Sequence, residues 1–284
     1  MRIAFQGATG AYSEAAALKA WPHAETSACD SFDDVFAAVA AGKVSHGILP
    51  VENSIGGSIH RNFDLLLDHD LPIVGEVELQ IVHHLLALPG VVLQDVKRVF
   101  SHPQALAQCE RFLRTLPGIE IVATYDTAGS AQMIRDQELR DTAAVASKRA
   151  AEVFGLHSIY EGIQDFDHNI TRFIVVAREA KPLGTPDKTT LAFALQNEPG
   201  ALFKALSVFA LRDIDLTKLE SRPIPGRPWE YLFYLDLGVG KDDLRCGRAI
   251  VHLAESARWV KMLGSYPSWK SVSDQANTQA QVVC

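Results

Sequence analysis

Through the first 180 residues, short β-rich runs alternate with amphipathic helical stretches, and this alternation restricts the fold more than any other property of the chain. A strand at residues 3–6 is followed by a helix capped by Ser13 and running over 15–20. Apolar residues repeat at helical spacing over 32–40 and stop at Gly42. A strand at 46–51, a helix at 62–67 and an extended run at 71–78 come next. Strands at 97–100, 121–125 and 142–145 precede helices at 104–113, 127–135 and 148–154. Strands alternating with helices predict a parallel α/β sheet covered on both faces. The apolar stretch at 79–88 and the strand at 172–177 are candidates for two crossovers between α/β lobes.

The rhythm changes after residues 179–187, where charge, two prolines and a glycine make a linker composition. Beyond it lie a strand at 189–195, a helix at 200–211, strands at 216–220 and 231–237, a helix at 242–256 and a strand at 259–266. That β-α-β-β-α-β order is the ferredoxin-like unit. The expected domains are therefore 1–180 and 188–270, with a polar, patternless and disordered tail at 271–284.

Composition narrows the function. With 48% hydrophobic and 21% charged residues, 284 residues suffice for two packed cores. A formal net charge of -7 argues against a nucleic-acid or anionic-membrane partner. No apolar run reaches the roughly 18 residues of a spanning helix: the region 71–93 is interrupted by Glu76, Glu78, His83 and His84. The first residues read as a strand rather than a signal peptide, which predicts an intracellular chain. Four cysteines without CxxC spacing and ten histidines without HExxH predict neither a disulfide framework nor a metal site. GxGxxG, GxxxxGK[ST] and GxSxG are all missing, so nothing indicates a dinucleotide, a nucleoside triphosphate or a serine nucleophile.

Four polar segments sit where α/β sheets place ligands, at strand ends. Gly7-Ala8-Thr9-Gly10-Ala11-Tyr12-Ser13 joins a strand to a helix, either as an anion receptor or as an ordinary tight turn. Glu52-Asn53-Ser54-Ile55-Gly56-Gly57-Ser58 offers a carboxyl, an amide and two glycines that allow close backbone approach, or else a solvated glycine turn. Ser101-His102-Pro103-Gln104 opens a helix with Gln108 on the same face as Gln104, the bland alternative being a serine cap beside a surface histidine. Asp167-His168-Asn169-Ile170-Thr171-Arg172-Phe173 places a hydroxyl beside a guanidinium at the start of an apolar strand. It also matches the N-glycosylation pattern, by coincidence in a chain without a secretory signal.

Taken together, FQGATGAYSEAA, LPVENSIGGSIHRNFDLLL, IVGEVELQIVHHLLALPG, SHPQALAQCE, DTAAVASKRAAEVFGL, EGIQDFDHNITRFIVVAR, NEPGALFKAL and LESRP resemble the prephenate dehydratases and the closely related arogenate dehydratases of phenylalanine biosynthesis, over residues 2–267. The resemblance implies an α/β catalytic domain of two lobes, like type II periplasmic binding proteins, followed by a ferredoxin-like ACT regulatory domain. It implies a hydro-lyase needing no cofactor, which turns prephenate into phenylpyruvate with loss of CO2 and water. Carried over by motif, the catalytic residues are Thr171, Glu52, Asn53, Ser101 and Gln108. Thr9, Tyr12, Ser13, Ser58, Arg172 and Phe173 bind substrate. Phenylalanine, as effector, takes Asn197, Gly200, Ala201, Leu202, Glu220, Ser221 and Arg222. The expected assembly is a homo-oligomer, dimer or tetramer, with no nucleic acid or membrane partner. Prephenate is preferred to arogenate because no plastid-targeting segment precedes Arg2, which implies a cytoplasmic enzyme, or a stromal one if the chain is a mature plant or algal form. The rival from another class is an amino-acid-binding sensor that has lost catalysis.

Overall fold

The computed structural model describes residues 1–224, 226 and 230–270; the expected tail at 271–284 lies outside them. Elements follow in chain order: β1 (Arg2–Gln6), α1 (Tyr12–Ala20), β2 (Glu25–Cys29), α2 (Phe32–Ala40), β3 (His46–Asn53), β4 (Gly57–Ser58), α3 (His60–Asp68) and β5 (Ile73–Gln80). Then come β6 (His84–Ala87), β7 (Arg98–Ser101), α4 (Pro103–Gln108), α5 (Glu110–Arg114), β8 (Glu120–Ala123), α6 (Thr127–Asp136), β9 (Thr142–Ala146), α7 (Lys148–Phe154), β10 (His157–Tyr160) and β11 (Ile170–Ala177). The last are β12 (Lys188–Ala194), α8 (Ala201–Ala210), β13 (Leu216–Pro223), β14 (Tyr231–Leu237), α9 (Leu244–Ser256) and β15 (Trp259–Tyr266).

Two compact units result, one of Met1–His60 with Glu78–Phe173, the other of Arg61–Val77 with the chain from Ile174 on. The first unit holds β2, β1 and β3 as parallel neighbours, with the short β4 antiparallel to β3. Its second sheet runs β10-β6-β9-β7-β8. Here β7 is parallel to β8 and β9, whereas β6 is antiparallel to β9 and β10, so this sheet is mixed rather than wholly parallel. The core behind it joins Leu85, Val99 and Val145 of the strands to Ala105 and Leu113 of the helices. The expected crossovers fall between β5 and β6 and over residues 161–169, just ahead of β11 rather than within it.

In the second unit, β13-β14-β12-β15 form an antiparallel sheet, which is the βαββαβ topology read from the sequence. Helices α8 and α9 bury Val208, Phe209, Ala249 and Leu253 against Leu191, Phe193, Leu235 and Leu237. α3 belongs to this unit too. Its Phe63 ring lies 4.8 Å from that of Tyr234, whose hydroxyl donates to the Phe63 carbonyl at 2.9 Å. On the next turn-face, Asp64 receives the Arg222 guanidinium at 2.5 Å.

Two helix boundaries depart from the expectation. The N-cap of α1 is Ala11, which supplies no side-chain cap, not Ser13. The single helix expected at 104–113 breaks at Cys109, because the Gln108 carbonyl is taken by the Asp165 amide at 2.7 Å instead of continuing the helical ladder. Cys109 itself is fully buried, and burial pushes its thiol up to about 12. N-caps elsewhere follow ordinary rules: Ser31 forms a capping box with Asp34, and Asp126 and Ser147 accept from the third amide of their helices.

Candidate active site

A cavity of about 190 Å³ in the first unit gathers Gln6, Gly7, Ala11, Tyr12 and Ser13 from the β1–α1 turn, Pro50 and Asn53 from β3, Ile59 and Ile81, and His83. α4 and its cap contribute His102, Gln104, Ala105 and Gln108, the start of α6 contributes Asp126 and Thr127, and β11 contributes Thr171 and Phe173. Strand alternation explains the last pair: residues two apart share a face, so Thr171 and Phe173 point into the cavity and Arg172 points away. Arg172 instead meets the Glu52 carboxylate at 3.1 Å. Neither of those two lines the cavity.

Asn53 organises the polar wall. It is buried, and its Oδ1 accepts from the backbone amides of Ile55 at 3.1 Å and Gly56 at 2.7 Å. Amides cannot accept, so the Asn53 side chain has only one acceptable orientation, with Nδ2 donating. Nδ2 donates to Asn169 Oδ1 at 2.7 Å and to Thr171 Oγ1 at 2.9 Å. That fixes Asn169, whose Nδ2 donates to Gln108 Oε1 at 2.9 Å. Gln108 Oε1 is then an acceptor for His83 Nε2, 2.9 Å away, so His83 carries its proton on Nε2. The Tyr12 hydroxyl lies 2.8 Å from both His83 Nδ1 and the Val82 carbonyl, and its single proton is shared between those two acceptors. Burial holds the His83 imidazole below the ordinary histidine range, partly offset by the Gln108 hydrogen bond, in keeping with a neutral ring. Burial likewise pushes the Tyr12 phenol well up, so it remains a donor.

The consequence for Thr171 is specific. Its oxygen already accepts from Asn53, and among the described residues nothing takes its hydroxyl proton, so that proton is available to a group in the cavity. Gly56 packs against the same assembly: a Cβ there would push the Gln104 side-chain amide aside and crowd Asn53 Oδ1 at 3.3 Å. Opposite, the first turn of α1 reaches the cavity without a side-chain cap, which gives an anion a helix N-terminus to face.

Of the residues singled out in the sequence, Asn53, Gln108, Tyr12, Ser13, Thr171 and Phe173 meet in this cavity. Ser101 does not: it is fully buried and donates to the Val145 carbonyl at 2.6 Å. The N-cap of α4 is His102, accepting from the Gln104 amide at 3.2 Å, rather than Ser101. Thr9 is exposed in its turn, and Ser58 sits on β4 opposite Glu52. His83, Asn169 and Asp126 belong to the site and were not singled out for it. Asn169 is 0% exposed, which is incompatible with a glycan acceptor. Among the described residues no group of His, Cys, Asp and Glu is arranged to hold a metal.

In the second unit a smaller cavity of about 120 Å³ is lined by Leu195, Gln196, Asn197, Glu198, Ala201, Leu202, Tyr231 and Phe233. Gly200, at φ +80°, is the N-cap of α8 beside it. The other three candidate effector residues lie on β13 and do not line that cavity: Arg222 pairs with Asp64, Glu220 with Lys218 at 3.5 Å, and exposed Ser221 is the cross-strand partner of Phe233.

An α/β scaffold whose polar cavity offers a free hydroxyl proton and a helix N-terminus is suited to an acidic small molecule that must lose an oxygen. The family comparison is in the same direction: the family model "Prephenate dehydratase" matches residues 3–181, and the chain belongs to that family. It is 51% identical to arogenate dehydratase 2 of Petunia hybrida, over 94% of this chain and 72% of that protein. Identity to arogenate dehydratase/prephenate dehydratase 2, chloroplastic, of Arabidopsis thaliana is 50%, over 94% of this chain and 73% of the relative. The prephenate dehydratase of Arthrobacter aurescens in complex with L-Phe superposes with a TM-score of 0.87 at 30% identity, over 99% of this chain and 98% of that one.

Proposed function

We propose that the chain is a prephenate dehydratase, a hydro-lyase of phenylalanine biosynthesis that converts prephenate to phenylpyruvate. The supporting observation is the Thr171 hydroxyl, its oxygen occupied by Asn53 and its proton directed to the cavity. In the reaction the bond between the ring and its carboxylate breaks to release CO2. Its electron pair enters the ring, and the ring hydroxyl departs as water with a proton drawn from solvent. Aromatisation drives the step. Thr171 donates a hydrogen bond to the departing oxygen as charge develops on it, and the amides of the α1 N-terminus receive a carboxylate. Asn53, Asn169, Gln108 and His83 hold that hydroxyl in one orientation. Glu52, ion-paired with Arg172 outside the cavity, takes no part in proton transfer.

Arogenate, which carries an amino group in place of the keto group, is the second reading, favoured by the names of the Petunia and Arabidopsis relatives. Assay of the purified chain for phenylpyruvate from prephenate and phenylalanine from arogenate tests both. Formation of neither product removes the reading.

Residues 1–180 are then the catalytic domain and 188–270 an ACT domain that binds phenylalanine as effector, as the name of the L-Phe complex supports. The cavity walled by Asn197, Ala201 and Leu202 is the half of that site which one chain provides, and Glu220, Ser221 and Arg222 of a second copy supply the rest in a homo-oligomer. The chloroplastic relative favours a plastid over the cytoplasm as the place of action.

A further inference from the structure

One residue of the cavity wall has no role in the reaction just described. Asp126 is the only Asp, Glu, Lys or Arg among the residues lining the cavity. Its Oδ1 is committed to the Gly129 amide at 2.5 Å, as the N-cap of α6. Its Oδ2 has one long contact, with the Ala8 amide at 3.4 Å, and retains acceptor capacity towards the cavity. A carboxylate here disfavours the binding of an anion, which is the opposite of what a substrate with two carboxylates needs from its nearest charged neighbour. The cost makes sense if the ligand also brings a positive charge.

We propose that Asp126 is a specificity residue that selects a substrate carrying an α-ammonium group over the same skeleton carrying an α-keto group. The inference rests on the dehydratase reading above and, of its two substrates, takes arogenate rather than prephenate as the better one. An ammonium group donates to Oδ2 in a charge-assisted hydrogen bond. A keto oxygen only accepts, so against Oδ2 two acceptors face each other unpaired. The contact between Asp126 and Ala8 places that carboxylate beside the turn leading into α1, whose amides receive the adjacent carboxylate of an amino acid. Ammonium and carboxylate are thereby read side by side. Thr171, on β11, holds the other end of the molecule.

Steady-state kinetics of the purified chain with arogenate and with prephenate test this, comparing wild type with Asp126→Asn. Asparagine keeps one oxygen for the Gly129 amide, so the helix cap survives, and removes the charge together with the long Ala8 contact. Asp126→Ser, an equally good helix cap, is the second variant should the first fail to fold. We expect kcat/KM for arogenate to fall about 10–100-fold, mostly through KM, the range of a charge-assisted hydrogen bond. For prephenate it should stay level or rise, so that the ratio of the two moves at least tenfold. Equal losses on both substrates make Asp126 a helix cap alone and overturn the proposal, as does an unchanged ratio or a wild type that acts on prephenate only. A wild type acting on neither substrate overturns instead the dehydratase reading on which the proposal rests.

Discussion

The cavity holding Thr171 and the one at the start of α8 are built from different materials. Around Thr171 the side chains of one unit orient one another, in a series that starts at two backbone amides and ends on the Tyr12 phenol. At α8 the wall is the polar run Gln196, Asn197 and Glu198, the aliphatic Leu195, Ala201 and Leu202, and the rings of Tyr231 and Phe233, with Gly200 beside it. The polar residues expected to join it, Glu220, Ser221 and Arg222, lie along a strand at the end of the sheet. A reaction site must hold donors still before the substrate arrives, and buried amides do that without further help. An effector site works through a difference in affinity between two states, so it can be left to be completed by assembly.

The largest effect that would break this contrast is at Thr171. Thr171→Ala should lower kcat about 10²–10³-fold, the size of a lost transition-state donor, with the circular dichroism spectrum unchanged. Turnover near the wild-type level would remove the hydroxyl from the chemistry. Asn53→Asp sharpens the point, because a carboxylate still accepts from the Ile55 and Gly56 amides but donates nothing to Asn169 or Thr171. We expect kcat to fall about 10–100-fold, the range set by leaving buried acceptors unmatched.

In the α8 cavity the expected change is in regulation. Gly200→Val, which forces a β-branched residue to φ +80°, and Ser221→Ala should raise the phenylalanine concentration for half-inhibition roughly 5–150-fold with kcat retained, the span of ordinary allosteric coupling. Titration calorimetry supplies the check, since phenylalanine competing with substrate in the Thr171 cavity would contradict the two-site picture.

The smallest effect is on pH dependence. His83 is neutral in the folded chain and held below its ordinary value by burial, whereas in the unfolded chain it titrates near 6.5. Below about pH 6.5 the unfolded state therefore binds the extra proton, and stability falls as pH falls through that value. Burial depresses His84 and His46 in the same direction, so the loss is shared. His83→Gln should show a shallower drop in Tm between pH 7.5 and 5.5 than wild type; an identical slope would mean that His83 takes up its proton over the same pH range folded and unfolded.

Much of this was legible in the sequence where local rules and tertiary structure agree. α2 spans the apolar repeat read at 32–40, and the βαββαβ order follows from apolar periodicity in β12, β14 and α9. β2 and β10 escaped notice because they are sheet edges without a fully buried residue, so their side chains carry no alternation. Ser101 misled because its position at a strand end is that of a ligand-binding residue, yet its side chain faces inward, and facing is set by register rather than by type. His83 and Asn169 were invisible as site residues for a related reason. Their importance comes from partners 25 and 116 positions away, Gln108 and Asn53, and no local pattern encodes such a pairing.

The division of the chain at α3 bears on how the protein can be dissected. The helix follows directly on the turn of Gly56 and Gly57, yet it is counted with the βαββαβ module, where Phe63 and Asp64 find Tyr234 and Arg222. A fragment ending near residue 181 keeps the whole family match but strips those partners from α3. Amide hydrogen exchange should accordingly report α3 opening together with β13 and β14, in one cooperative unit, rather than with β3, its near neighbour in sequence. Proteolysis between residues 181 and 188 would then not release a lean catalytic core. It would leave a fragment with Phe63 newly bared to solvent, prone to self-association at the surface from which the module was cut.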